Sequence, residues 1–155
     1  MGTTIKDRMD ALGVSLPPAA APAANYLPFT RQGDLIVISG QLCIGPDGLK
    51  IKGKLGDNVT LAQGQEAARL CALNILAQAN AALEGDLERI RQILRITGFV
   101  ASAPGFSEQH LVVNGASDLL VDILGERGRH ARAAVGMASL PLDAAVEIDA
   151  MIAVG

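Results

Sequence analysis

Two charged residues sit in otherwise apolar surroundings. Arg132 falls within Ala131-Arg132-Ala133-Ala134-Val135-Gly136-Met137, and Glu147 within Val146-Glu147-Ile148-Asp149-Ala150, runs that read as strands. Alternation with period two places Arg132 with Ala134, Gly136 and Ala138, and puts Ala131, Ala133, Val135 and Met137 on the other face. Such small neighbours leave space around a guanidinium, a planar and permanently charged group that grips a carboxylate through two parallel hydrogen bonds. In the second run Val146, Ile148, Ala150 and Ile152 alternate with Glu147, Asp149 and Met151, so Glu147 is expected on the more polar face. The plain alternative is that both are ordinary charges on a solvated sheet face.

If Pro141 and Leu142 close these strands into a hairpin, Gly136 lies opposite Glu147. Arg132 is then four residues farther along, roughly 13 Å away. On that register the two charges do not meet within one chain.

The remaining reactive residues are few. His110, beside Glu108 and Gln109 at a helix start, reads as surface. His130 immediately precedes the Arg132 strand and is either an acid-base candidate or a strand-edge histidine. Cys43 and Cys71 form no Cys-x-x-Cys pair; Cys71 reads as a small core residue, and Cys43 as core or the lining of a site near Ser39. Zincin, phosphate-loop and nucleophile-elbow patterns are absent, so no metal or cofactor is expected. With a net charge of −3, scattered Lys and Arg, one Tyr, three Phe and no Trp, nucleic acid is an unfavoured partner. No apolar run is long enough to span a membrane, and the charged start Met1 to Asp10 lacks a secretory core, so a cytoplasmic location is expected.

The elements that must position these residues follow from periodicity and punctuation. An amphipathic helix over Ile5 to Leu12 ends at Gly13, and the Pro17 to Ala24 stretch is an extended arm, laid on the body or on a neighbouring subunit. Residues 1–23 thus form an N-terminal helix and arm, and 24–155 the main domain. Strands are predicted over Leu27 to Arg31 and Leu35 to Ser39, with a loop and irregular edge over Ile51 to Asn58. Thr60-Leu61-Ala62-Gln63 is a capping box opening a helix to about Glu84, which Gly85 ends. A strand over Ile90 to Ser102 is expected to be central, followed by a helix from Ser107 to Leu124 closed by Gly125, then the two strands above. The order predicts an α+β domain, a mixed sheet with two long helices packed on one face.

Several of these features, in order, are similar to the RidA/YjgF family. Arg132, then Leu140-Pro141, then Val146-Glu147-Ile148 match its C-terminal signature, and Ser39-Gly40-Gln41 after Leu35 to Ile38 matches its early Ser-Gly-Gln. Tyr26, Gly98-Phe99-Val100 and Asn114 extend the resemblance over about residues 24 to 153. It implies a chorismate-mutase-like (YjgF-like) fold and a homotrimer with sites at clefts between subunits. The activity implied is 2-iminobutanoate/2-iminopropanoate deaminase chemistry: hydrolysis of 2-aminoacrylate-like enamines and imines to a 2-oxo acid and ammonia. Arg132 would bind the substrate carboxylate and Glu147 orient or deprotonate water, with Tyr26, Ser39, Asn114, Ala134 and His130 lining the cleft. On the structural side, Tyr26 could instead plug a core, Ser39 satisfy a turn and Asn114 stay on a helix surface. Ala134 stands where relatives usually carry Cys, and His130 where they commonly carry Pro, so the chain reads as a divergent branch. A trimer that binds small carboxylates without turnover, and the endoribonuclease named for some relatives, are the alternatives.

Overall fold

The computed structural model describes residues 2–22 and 24–155; Met1 and Ala23, the two ends of the expected N-terminal unit, lie outside the described residues. Strands β1 (Phe29–Gln32), β2 (Leu35–Leu42), β5 (Ile90–Ala101), β6 (Ala131–Met137) and β7 (Val146–Val154) form one sheet in the order β1-β2-β7-β5-β6. Neighbours are antiparallel except β5 and β6, which run parallel. Two-residue strands β3 (Ile44–Gly45) and β4 (Gly48–Leu49) make a separate small hairpin. Helices α2 (Leu61–Ala82) and α3 (Gln109–Leu124) cover one face, and α1 (Ile5–Leu12) packs beside α3. This is the expected mixed α+β sheet with its two long helices on one side.

The alternation on β7 shows how burial fixes the faces. Val146, Ile148, Ala150, Ile152 and Val154 are buried under the helices, whereas Glu147, Asp149, Met151 and Ala153 are not. Among the described residues no helix covers the opposite sheet face. Val37, Val135, Met137 and Met151 remain 36–41% exposed there.

Capping sets the helix starts. Thr60 Oγ1 accepts from the Gln63 amide, and the Gln63 side chain accepts from the Thr60 N–H, so the predicted box is present. Thr4 and Asp7 do the same for α1. Ile5, 2% exposed, plugs α1 into the core, and Gln78 donates to the Ala20 carbonyl, holding the arm against α2. At its far end α2 leaves the helix through two left-handed residues, Glu84 and Gly85, rather than the single expected glycine.

One expectation fails. β6 and β7 are not a hairpin: β5 lies between them, and Phe99 of β5 is in register with Val135 on one side and Glu147 on the other. Gly136 is therefore opposite Val100 and not Glu147. The chain hops over β5 through a short helical turn, Pro141–Asp143, in which Leu142 and Asp143 adopt left-handed backbone. Strand β6 takes the outer position because α3 is a crossover joining two parallel strands, which leaves β7 to fill the slot between β2 and β5.

Close approach of α3 to the sheet rests on Gly98. A β-carbon there would overlap the Val113 side chain of α3. Gly98→Ala should therefore destabilise the fold by about 1–3 kcal/mol, the overpacking range. Thermal denaturation would read this as a melting temperature several degrees lower.

Candidate functional site

The candidate residues fall into two groups on opposite sides of the sheet. Arg132 pairs with Ile96, which is fully buried under the helices, so the two side chains share the helix face. Because β6 is the outermost strand, the guanidinium reaches along α3. Nη1 donates to Ser117 Oγ at 3.0 Å and Nη2 to the His110 carbonyl at 3.0 Å. A guanidinium has five N–H donors, so three remain after these two bonds, enough for a bidentate carboxylate. His110, Asn114 and Ser117 are spaced i, i+4, i+7, which lines them along one stripe of α3 and puts half-buried Asn114 between the two anchors of Arg132.

His130 joins this group. Its Nδ1 lies 2.6 Å from the Gly128 carbonyl and its Nε2 2.9 Å from Ser117 Oγ. Burial pushes its pKa below the ordinary histidine value, the Gly128 bond opposes that shift, and the nearby Arg132 charge reinforces it. Ala134, two residues beyond Arg132 on the same face, is opposite Gly98 and packs against the core. It is a spacer beneath α3 in this protomer.

Glu147 and Ser39 belong to the uncovered face, and Tyr26 lies in the segment just before β1. Glu147 is in register with Phe99 and Leu42, and its carboxyl lies on the α-carbon of Gly40, where a β-carbon would collide with it. A bulge between Ile38 and Gln41 bends β2 around that point. This gives the Ser39-Gly40-Gln41 motif a physical reason. Ser39 donates its hydroxyl to the Leu27 carbonyl at 2.7 Å, fixing the segment that carries Tyr26. Tyr26 is 52% exposed and so is not a core plug. Beside Glu147, Asp149 accepts from the Thr97 amide at 3.2 Å.

The expectation that Arg132 and Glu147 lie on corresponding polar faces is therefore corrected. Arg132 is level with Ala150 across β5, so Glu147 is two strands over, three residues along and on the other side of the sheet. The backbone separation is about 14 Å. Polarity misled the assignment because β6 carries small residues on both faces. Cys43 is fully buried and does not line a site. A cavity of about 600 Å³ opens between the arm, α2 and the β3 region, lined by Leu16, Pro18, Gln41, Ile44, Leu73 and Asn74 among others. None of the expected site residues lines it.

Ser117, Thr97 and Asp149 were not singled out by sequence. Only the spacing of Ser117 from Asn114 and His110 could have drawn attention to it. No group of three or more His, Cys, Asp or Glu among the described residues could hold a metal ion. Among the described residues no helix is long and apolar enough to cross a membrane.

Over residues 6–152 the chain matches the family described as "YjgF/chorismate_mutase-like, putative endoribonuclease". It belongs to the YjgF/RidA family. Protein TCP17 of Trypanosoma cruzi is 48% identical over 145 residues, 93% of this chain and 90% of TCP17. The crystal structure of Atu1372 from Agrobacterium tumefaciens, of unknown function, is 54% identical with a TM-score of 0.92, covering 97% of this chain and 92% of that one. RidA from an Antarctic Psychrobacter is 25% identical with a TM-score of 0.61, covering 88% of this chain and 94% of that one. The backbone is thus much nearer to Atu1372 than to RidA.

Burial raises the pKa of Glu147, and the charge of Asp149 adds to the shift. The folded protein therefore binds this proton more tightly than the unfolded chain, so its contribution to stability falls as pH rises above the ordinary carboxylate range. Glu147→Gln should raise the melting temperature at neutral pH. The gain should vanish below about pH 4, where the carboxyl is protonated in both states.

Proposed function

We propose that the protein hydrolyses small carboxylate-bearing imines and enamines to 2-oxo acids and ammonia, at clefts between the subunits of a homotrimer. The observation that carries this reading is the division of polar groups between two faces. Arg132 stands at a free sheet edge with three donors to spare, while Glu147 is half-buried on the uncovered face. Neither half is a site alone. The exposed apolar residues Val37, Val135, Met137 and Met151 surround the Glu147 side and suit burial against a second copy. In a closed ring each protomer offers its Arg132 edge to the partner's open face.

In this arrangement Arg132 receives the substrate carboxylate, and Asn114 and His130 border it. Unpaired backbone groups on the outer side of β6 are positioned for the imine nitrogen. Glu147 of the partner subunit takes a proton from water as the water oxygen adds to the C=N carbon, and the proton is returned to nitrogen. In collapse of this carbinolamine the hydroxyl proton passes to nitrogen as the C–N bond breaks and the C=O bond forms, releasing ammonia and leaving the 2-oxo acid. An enamine enters the same route once a proton moves from its nitrogen to its terminal carbon, giving the imine. Desolvation makes Glu147 a stronger base than an exposed carboxylate, which suits that step. In this reading Tyr26, exposed and tied to β2 through the Ser39–Leu27 bond, and Ser39 supply further polar contacts to the substrate. Cytoplasmic residence fits a substrate class made by amino-acid metabolism.

The test is release of ammonia and 2-oxo acid from imines generated in situ by an amino-acid oxidase. Arg132→Ala should lower kcat/KM on the order of a hundredfold, the effect of losing a bidentate charge pair. Mixed trimers test the shared site. Refolding Arg132→Ala and Glu147→Gln chains together in equal amounts should restore about one quarter of wild-type activity, since a quarter of the clefts then combine two intact halves. No restoration would place both residues in one chain's site. Binding of 2-oxo acids without ammonia release would leave a carboxylate-binding trimer, and salt-sensitive RNA cleavage would favour the endoribonuclease reading.

A further inference from the structure

The hydrogen bonds behind Arg132 form a chain whose direction is set at one end. A carbonyl oxygen can only accept, so the 2.6 Å contact between Gly128 and His130 Nδ1 requires the proton to be on Nδ1. In neutral imidazole the other nitrogen, Nε2, is then bare and accepts. Ser117 Oγ, 2.9 Å away, must donate its single proton to Nε2. That leaves the oxygen lone pairs of Ser117 facing Arg132, whose Nη1 donates to it at 3.0 Å. Every hydrogen bond in the series Arg132, Ser117, His130, Gly128 has one direction, and no proton is shared by two acceptors.

We propose that Ser117 and His130 are positioning residues for the Arg132 guanidinium, with His130 held as the Nδ1–H tautomer so that Ser117 is always an acceptor toward Arg132. The proposal rests on the reading of Arg132 as the carboxylate anchor, and deepens it. A serine hydroxyl free to rotate could turn its proton toward the guanidinium and repel it. Bonding to Nε2 removes that orientation. With Nη1 on Ser117 and Nη2 on the His110 carbonyl, both terminal nitrogens are pinned to α3, and the plane of the guanidinium is fixed before any ligand arrives. A fixed plane favours a planar carboxylate presented in one orientation, which is the requirement for placing the imine carbon against the partner's base. Burial of His130 keeps it neutral at physiological pH, as the chain requires.

The inference is tested on the intact protein by two measurements. In nitrogen-15 spectra of the histidine ring, His130 should be the Nδ1–H tautomer at neutral pH, and the Arg132 terminal nitrogens should show restricted rotation. Ser117→Ala should release that rotation and Ser117→Thr, which keeps the hydroxyl, should restore it. An Nε2–H tautomer, or rotation unchanged in Ser117→Ala, overturns the proposal whatever the protein's activity. Second, Ser117→Ala should raise KM for the imine, and Kd for a 2-oxo acid, about tenfold while kcat stays within twofold, as expected for one lost charge-assisted hydrogen bond. Ser117→Thr should recover most of the loss. A KM within twofold of wild type in Ser117→Ala also overturns it. If wild type neither turns over imines nor binds 2-oxo acids, the carboxylate-anchor reading fails, and the spectra still decide whether the pair holds the arginine.

Discussion

The distance between α3 and the outer strands of the sheet governs the arginine half of the site. Along the line where α3 crosses, the sheet presents Gly98 on β5 and its neighbour Ala134 on β6. Val113 descends onto Gly98, where any side chain would push it away. Because α3 sits this low, its flank comes level with β6, and the His110-Asn114-Ser117 stripe meets the guanidinium of Arg132 directly. The long axis of α3 is fixed from its other side as well, since Gly115 lies against the Gln65 carbonyl of α2 with no space for a β-carbon. Small residues at these points do not merely fill the core; they set the height at which polar groups can bond.

The glutamate half obeys a different constraint. Its carboxyl rests on Gly40 at a bulge in β2, partly withdrawn from water and without a cation among the described ion pairs. Desolvation of this kind weakens the fold at neutral pH and makes the carboxylate more basic, the direction that the proposed role as a base requires. The arginine half is well bonded and the glutamate half is not. Under the proposed hydrolysis this difference is useful, since an anchor gains from being fixed and a base gains from a destabilised charged form.

Much of this could be read from the chain. Thr60 and Gln63 announced the start of α2, and the order of strands and helices gave the α+β class. Arg132 and Glu147 were conspicuous because few strands carry a lone charge among alanines and valines. What periodicity could not supply was adjacency. Two strands joined by a short connection read as a hairpin, yet β5 lies between them, because α3 had already brought β6 alongside β5 in parallel. The connection into β7 is buried at Ala144, Ala145 and Val146, where the Ala145 amide donates to the Ile51 carbonyl and the Ala145 carbonyl accepts from Ala101 of β5, long-range partners that periodicity cannot supply. Ser117 carried no signal of its own. A single serine in a helix is ordinary until the strand opposite is known.

The face assignment matters more than the missed pairing. Had Arg132 and Glu147 shared a face, one protomer could have formed a pocket between them, and the small residues around Arg132 would have been its floor. With the sheet between them, the same small residues serve α3 instead, and under the proposed function the space for a carboxylate comes from outside the protomer. Ala134 and His130 both lie beside the support of Arg132: Ala134 packs against the core next to Gly98, and His130 Nε2 lies 2.9 Å from Ser117 Oγ. The His130 and Ser117 side chains and the His110 carbonyl thus surround the guanidinium from the α3 side, and its remaining N–H groups are left for contacts from outside the protomer.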